Sequence, residues 1–266
     1  DSTRVWAGIN EKGYTIINSN STNIGPGAGS GPDDGEIMKS ALQNCATIEE
    51  FQQFLDSTNR VGRKIPANFG VIDSTGEATI FEAGAYRYQR FDALKESLGF
   101  LIRANYSMSG DTTNRSGHPR YLRAMELAQR GNRQGDLTAQ YIIQQIARDL
   151  GGPGFDPYPL PFCDTFGSYP FGFLPTTASI NRYRTRASVV IVGTVLAPTR
   201  LKLPTMWTVL GEPCVGIAIP LFLDAGAVPA QLSGPGLPKI CALAKTMRDW
   251  VYMGSDFGVN TFLLVK

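Results

Sequence analysis

The chain opens on two apolar runs, VWAGI and YTIINS, parted by the polar break Asn10-Glu11-Lys12-Gly13. A glycine ending so short a break can take the positive φ of a tight turn, so residues 5–21 are predicted to form a β-hairpin. GPGAGSGPDDG at 25–35 has no apolar period and reads as a surface loop. Helical spacing follows at about 34–44 and 48–57. The second helix is announced by Thr47 with Glu50 three residues on, and it carries Phe51, Phe54 and Leu55 on one face. ANFGVIDSTGEATIFEAG, residues 67–84, is two β-rich runs around Asp73-Ser74-Thr75-Gly76, and LGFLIRANYS at 98–107 continues the strand pattern.

In the second half, 119–131 and 136–150 have helical period. The latter is predicted to be capped by Asp136, to bury Leu137, Tyr141, Ile142 and Ile146, and to stop at Gly151. Pro, Gly and aromatic residues dominate 151–178, which suits a long ordered loop. Strand character returns at 188–196, 205–211 and 215–223. A closing helix at about 238–252 is expected to bury Ile240, Leu243, Ala244 and Met247. Helices arrive in pairs between groups of mainly antiparallel strands, which favours an α+β arrangement of two sheets with helices outside. One domain over 1–266 is expected, and no internal repeat is evident.

Composition narrows the partners. With 42% apolar and 18% charged residues the chain has material for a core. A net charge of +2, spread along the sequence, offers no concentrated basic face for a phosphate backbone, so no nucleic-acid partner is expected. Nor is a membrane partner, because no stretch nears the roughly 20 apolar residues that span a bilayer. The cysteines Cys45, Cys163, Cys214 and Cys241 form no CxxC pair, so no metal or cofactor is expected. Compartment stays open; a periplasmic or secreted location after loss of a leader is compatible with the polar start DSTR.

The single histidine restricts catalysis further. Any Ser-His-Asp or Cys-His relay would have to use His118, which sits between Gly117 and Pro119 in a polar loop without a GxSxG elbow. There is no HExxH, and the Gly-rich run at 25–35 lacks the lysine of a phosphate loop. An amide hydrolase whose nucleophile uses its own α-amine as base needs no histidine, and that chemistry remains.

Six segments in order carry a resemblance: VWAGINEKGYTIINSNS, DDGEIMKSALQNCATIEEFQQFL, ANFGVIDSTGEATIFEAG, IRANYSMSG, NRYRTRASVVIVGTV and PTMWTVLGEP. Together they resemble the penicillin acyltransferase-like branch of the N-terminal-nucleophile hydrolases, linear-amide hydrolases related to choloylglycine (bile salt) hydrolase, over most of residues 5–225. The resemblance implies a four-layer αββα sandwich of two mainly antiparallel sheets, here lacking its N-terminal strands, and a small N-acyl amide as substrate. It also implies a cysteine that attacks the amide carbonyl while its amine moves the proton. Asn105 in IRANYS matches the asparagine that donates to the oxyanion. Asn20 matches a second site asparagine by its distance from NEKG, and Asn18 matches it under the other branch's pattern. Arg182 in NRY matches an arginine near the nucleophile, with Arg184 and Arg186 as neighbouring registers.

The family's Cys-Thr opening is expected before VWAGINEKG, whereas the residues there are Asp1, Ser2 and Thr3. Three expectations stand side by side: the nucleophile lies on a separate N-terminal fragment, it has been lost from this chain, or the chain is a non-catalytic ligand-binding relative. Of the internal cysteines, Cys45 reads as core. Cys163 lies in the aromatic loop with Tyr158, Phe162, Phe166, Tyr169, Phe171 and Phe173, which either line an acyl pocket or pack the loop. A sheet edge left open is also expected to invite a homo-oligomer.

Overall fold

The computed structural model describes residues 4–152, 154, 156–160, 171–197, 200–202, 204–233, 235–252 and 262–264. In chain order its elements are β1 (Ala7–Ile9), β2 (Thr15–Asn20), α1 (Asp34–Asn44), α2 (Ile48–Thr58), β3 (Ala67–Ile72), β4 (Ala78–Ala83), β5 (Tyr88–Asp92), α3 (His118–Gln134), α4 (Ala139–Tyr141), β6 (Phe173–Pro175), β7 (Ala187–Val192), β8 (Val195–Ala197), β9 (Arg200–Lys202), β10 (Thr205–Leu210), β11 (Ala218–Phe222), α5 (Lys239–Val251) and β12 (Phe262–Leu264). Antiparallel sheets with a few helices place it in the expected α+β class. The chain divides into two compact units, one of residues 1–118, 191–206 and 222–224, the other of the remainder.

The first unit holds a five-stranded sheet in the order β1-β2-β3-β4-β5, antiparallel at every pairing. Its opening hairpin forms as expected. Gly13 has φ +80°, and the Asn10 side chain accepts the N–H groups of Lys12 and Tyr14 while donating to the carbonyls of Leu42 and Cys45. One asparagine therefore shapes the turn and ties it to the end of α1. Both helices start at a capping box, Asp33 with Glu36 and Thr47 with Glu50, so their first N–H groups are satisfied by side chains.

Period-2 alternation sets which sheet face is dry. Ile16, Phe69, Val71, Phe81 and Ala83 point to one face and pack under Ile37, Met38, Ala41, Ile48, Phe51 and Leu55 of α1 and α2. Phe51 sits at the centre, edge-on to Phe69 at 5.7 Å and to Phe81 at 5.3 Å between ring centroids. Arg63 is fully buried, and its guanidinium donates to the carbonyls of Leu55, Gly84 and Arg87, to Thr58 Oγ1 and to Asn59 Oδ1. It thereby satisfies the C-terminal end of α2 and the β4–β5 turn together. Burial pulls its pKa down to about 10.

One element of this unit was missed and one expectation is corrected. β5 was not foreseen, because YQRFD has little apolar alternation; its pairing with β4 defines it. Residues 98–107 do not form a strand; 101–104 have no regular structure and the chain bends at Asn105. Side chains of the sheet take this segment's backbone groups instead of a neighbouring strand, as described below.

In the second unit β11, β10 and β7 form a sheet in that order, and β6 pairs antiparallel with β12. The helix expected over 136–150 is shorter and different. Thr138 rather than Asp136 caps it, its side chain accepting the Tyr141 N–H, and after α4 the backbone widens into a π turn over Ile142–Ile146. Tyr141 and Ile143 are its buried residues. α5 matches its expected span, but Leu243 is exposed, and Ala244 and Arg248 are the residues it buries. Phe162, Cys163, Phe166 and Tyr169 lie outside the described residues; Phe171 is 65% exposed.

Candidate functional site

The sheet face opposite α1 and α2 carries a polar row beside the apolar row of Ile17, Gly70, Ile80 and Phe91. Registers Ser19↔Asn68 and Asn68↔Glu82 place three polar residues in one row across β2, β3 and β4. Such alternation reads in sequence as a solvent-facing side, yet Asn68 and Glu82 are 3% and 1% exposed. The segment 103–111 covers them, and the coverage is made of hydrogen bonds.

Asn68 donates to Ser19 Oγ (3.1 Å) and to the Tyr106 carbonyl (3.0 Å), and it accepts from Ser107 Oγ (2.5 Å). Ser19 Oγ donates to the Ala104 carbonyl at 2.8 Å. Asn23 accepts the Ser107 N–H at 2.7 Å and donates to the carbonyls of Ser107 and Asp111, both at 2.9 Å. Glu82 accepts from Arg103 Nε, from the N–H groups of Met108 and Ser109, and from Ser109 Oγ. Four acceptances fill a carboxylate's capacity, and Arg103 supplies the opposite charge that burial demands. A cavity of about 400 Å³ opens beside this network, lined in part by Asn23, Glu82, Arg87, Gln89, Ser109 and Asp111. The N–H and hydroxyl of Thr113 hold the Asp111 carboxyl below its ordinary pKa.

Asn105 sits within the covering segment, half-buried. Its carbonyl accepts both the N–H (3.1 Å) and the hydroxyl (2.9 Å) of Thr22, which fixes its backbone against the end of β2. Its side-chain Nδ2 lies 3.4 Å from the Asn20 carbonyl, a long and weak hydrogen bond. Asn105 and Asn20 are therefore neighbours through the backbone of Asn20.

The other candidates are placed differently. Asn18 lies on the helix-covered face, paired with Phe69, and donates to Asp34 Oδ2 at 2.7 Å in the first turn of α1. Burial raises the Asp34 pKa. Arg182 belongs to the second unit, in a turn where its carbonyl accepts the Thr185 N–H. Burial first and Arg184 second lower its pKa.

Among the described cysteines, burial raises the Cys45 thiol to about 11 and the Cys214 thiol to about 12, so at neutral pH both are protonated and poor nucleophiles. His118 begins α3, and its Nδ1 is 3.0 Å from the hydroxyl of Tyr106. Among the described residues, no three His, Cys, Asp or Glu side chains are grouped to hold a metal, and no helix is long and apolar enough to cross a membrane.

No protein-family model matches the chain, and no curated protein does. Two solved structures of conjugated bile acid hydrolase from Clostridium perfringens are similar to it. A cysteine-to-alanine mutant matches at 15% identity and TM-score 0.36 over 56% of this chain and 60% of that one, so the match spans less than two thirds of that hydrolase. An arginine-to-leucine variant matches at 11% identity and TM-score 0.36 over 86% and 80%.

Sequence reading missed Asn23, Asn68, Glu82 and Ser107. Asn68 and Glu82 were visible as polar residues near strand ends, in ANFG and IFEAG, and Asn23 and Ser107 as polar residues in NSNSTN and NYSMS. What alternation does not encode is that a strandless segment covers the polar row.

Proposed function

We propose that this chain is the oxyanion-side portion of a hydrolase or acyltransferase acting on linear amide (C–N) bonds of a small N-acyl substrate. The observation that carries the reading is the anchoring of Asn105: its backbone is clamped by Thr22, and its side-chain amide is held beside the main chain of Asn20 at the end of β2. The ordered resemblance of six segments to N-terminal-nucleophile hydrolases supports the same reading.

The nucleophile in this proposal is a cysteine with a free α-amine, contributed from outside residues 1–266. Its thiol loses a proton to the amine and attacks the substrate carbonyl carbon. Negative charge then develops on the carbonyl oxygen, where the Asn105 amide N–H donates. A donor held in place before reaction reorganises little, and one such donor contributes roughly 2.7–4 kcal/mol to the transition state. Collapse of the intermediate breaks the C–N bond, the ammonium returns its proton to the leaving amine, and a thioester remains. Water or a second acceptor then takes the acyl group. The raised thiols of Cys45 and Cys214 count against these two as internal nucleophiles.

The test reads the N-terminal sequence of the natural protein together with its gene, then supplies any upstream segment beginning with cysteine and measures amine release from N-phenylacetyl and N-acyl amino acid amides. Turnover that vanishes when that cysteine becomes alanine supports the proposal. An upstream sequence without Cys, Ser or Thr at the cleavage point, with ligand binding but no turnover, would replace it with the non-catalytic binding relative.

A further inference from the structure

The second unit contains a separate cavity of about 310 Å³, lined by Ala139, Ile143, Gln144, Arg148, Trp207 and Ala218 among others. That volume is at the lower end of the range for small-molecule sites, roughly 300–1,000 Å³. Ile143 is buried with Val190 and Val209, and Ala139, Trp207 and Ala218 pack against that cluster, so one wall is apolar.

The backbone explains why a cation joins this wall. In an α-helix, positions 143 and 148 would point about 140° apart. Here the π turn, in which the Ala147 N–H reaches the Ile142 carbonyl, spends an extra residue per turn and sets Arg148 beside the same cavity as Ile143. π turns are uncommon and recur at functional sites. Arg148 donates through Nη2 to the Gly216 carbonyl at 2.9 Å, which fixes the guanidinium. Its Nε is buried without a hydrogen-bond partner, and among the described residues no carboxylate pairs with it. A positioned cation with an unused donor, at an apolar cavity, matches an anion with an apolar tail.

We propose that this cavity binds a small amphiphilic carboxylate, with the carboxylate on Arg148 and the tail against Trp207, Ile143 and Ala218. The site is independent of the amide-hydrolase reading, since it shares no residue with it.

Calorimetric titration of the chain with sodium octanoate, and with 1-octanol as the uncharged counterpart, tests it. Octanoate binds with a Kd below about 1 mM. Arg148→Met weakens octanoate at least tenfold and leaves octanol unchanged, while Ala218→Phe, which fills the cavity from the β11 side, abolishes both. Circular dichroism melts establish that each variant is folded; if Arg148→Met unfolds, the Ala218→Phe result decides. Octanoate that fails to bind the wild-type chain, or that binds the folded variants as tightly as the wild type, overturns the proposal.

Discussion

Asn105 and Asn20 meet through an unequal contact: the side-chain amide of Asn105 lies 3.4 Å from the main-chain carbonyl of Asn20, while the Asn105 carbonyl is held twice by Thr22. The stronger bonds hold the backbone and the weaker one orients the amide. If the proposed amide-hydrolase reading holds and the nucleophile segment is supplied, Asn105→Ala is expected to lower kcat by about 100- to 1000-fold with little change in KM, because an oxyanion donor acts in the transition state. Asn18→Ala is expected to keep kcat within about twofold and to lower stability by roughly 1.5–3 kcal/mol through the lost bond to Asp34. Steady-state kinetics beside denaturant unfolding separates the two asparagines. Equal kinetic losses would remove the distinction drawn between them.

A close approach holds the covering segment. A Cβ on Gly110 would stand 2.5 Å from Asn23 Cγ and 2.6 Å from its backbone oxygen. Asn23 organises Ser107 and Asp111, so Gly110→Ala must displace the residue on which the segment's course depends. A cost of about 1–3 kcal/mol is expected, with faster amide exchange at Ser107 and Asp111. Exchange rates unchanged at those two amides would show that Asn23 is not what holds the segment.

The ion pair between Arg103 and Glu82 is nearly fully buried, at 8% and 0% side-chain exposure. Glu82→Gln removes the charge while retaining the volume, leaving Arg103 uncompensated and the N–H groups of Met108 and Ser109 with a weaker acceptor. Breaking such a pair costs about 3–5 kcal/mol. Hydrogen exchange at Met108 and Ser109 is expected to quicken by about 100-fold or more. A double variant replacing Arg103 as well recovers part of the loss, since no unpaired charge is then left behind.

How much of this was legible in the sequence follows from what each pattern encodes. Local chemistry was readable: the Asn10–Gly13 turn, the Thr47/Glu50 cap and the Phe51 face depend on residues within a few positions of one another. β5 was hidden because its pairing, not its composition, makes YQRFD a strand. The segment 98–107 misled in the opposite sense, since strand-like side chains sit on a backbone whose partners are Asn23, Asn68 and Glu82, distant in sequence. The Thr138 cap and the π turn were missed because Asp136 is an equally good cap two residues earlier. Of the four site candidates, the motif match selected residues by likeness. Only the fold separates Asn105, beside the Asn20 backbone, from Asn18, which is committed to α1.

Glu212 provides a pH dependence whose sign can be worked out. Its side chain is fully buried; Oε1 accepts from Asn181 Nδ2 and from the Tyr252 hydroxyl at 2.9 Å, whereas Oε2 has no hydrogen-bond partner. Arg248 Nε, also without a hydrogen-bond partner, stands 3.9 Å from Oε2; Arg186 and Cys214 are the other titratable neighbours that act with it. Burial outweighs Tyr252, Asn181 and Arg248 and raises the carboxyl to about 7 from an ordinary 4.5. The folded state thus binds the proton more tightly than the unfolded state. The resulting stabilisation is complete below about pH 4.5 and is lost as pH rises through 7, a difference of roughly 3 kcal/mol. Glu212→Gln cannot titrate, so its unfolding free energy is expected to lack this fall between pH 5 and 8 while every other carboxyl contributes as before. Urea unfolding of both chains at those two pH values, followed by tryptophan fluorescence, reads the difference directly. Parallel pH profiles for the two chains would show that Glu212 is already ionised in the fold and that Arg248, despite the 3.9 Å gap, is its effective partner.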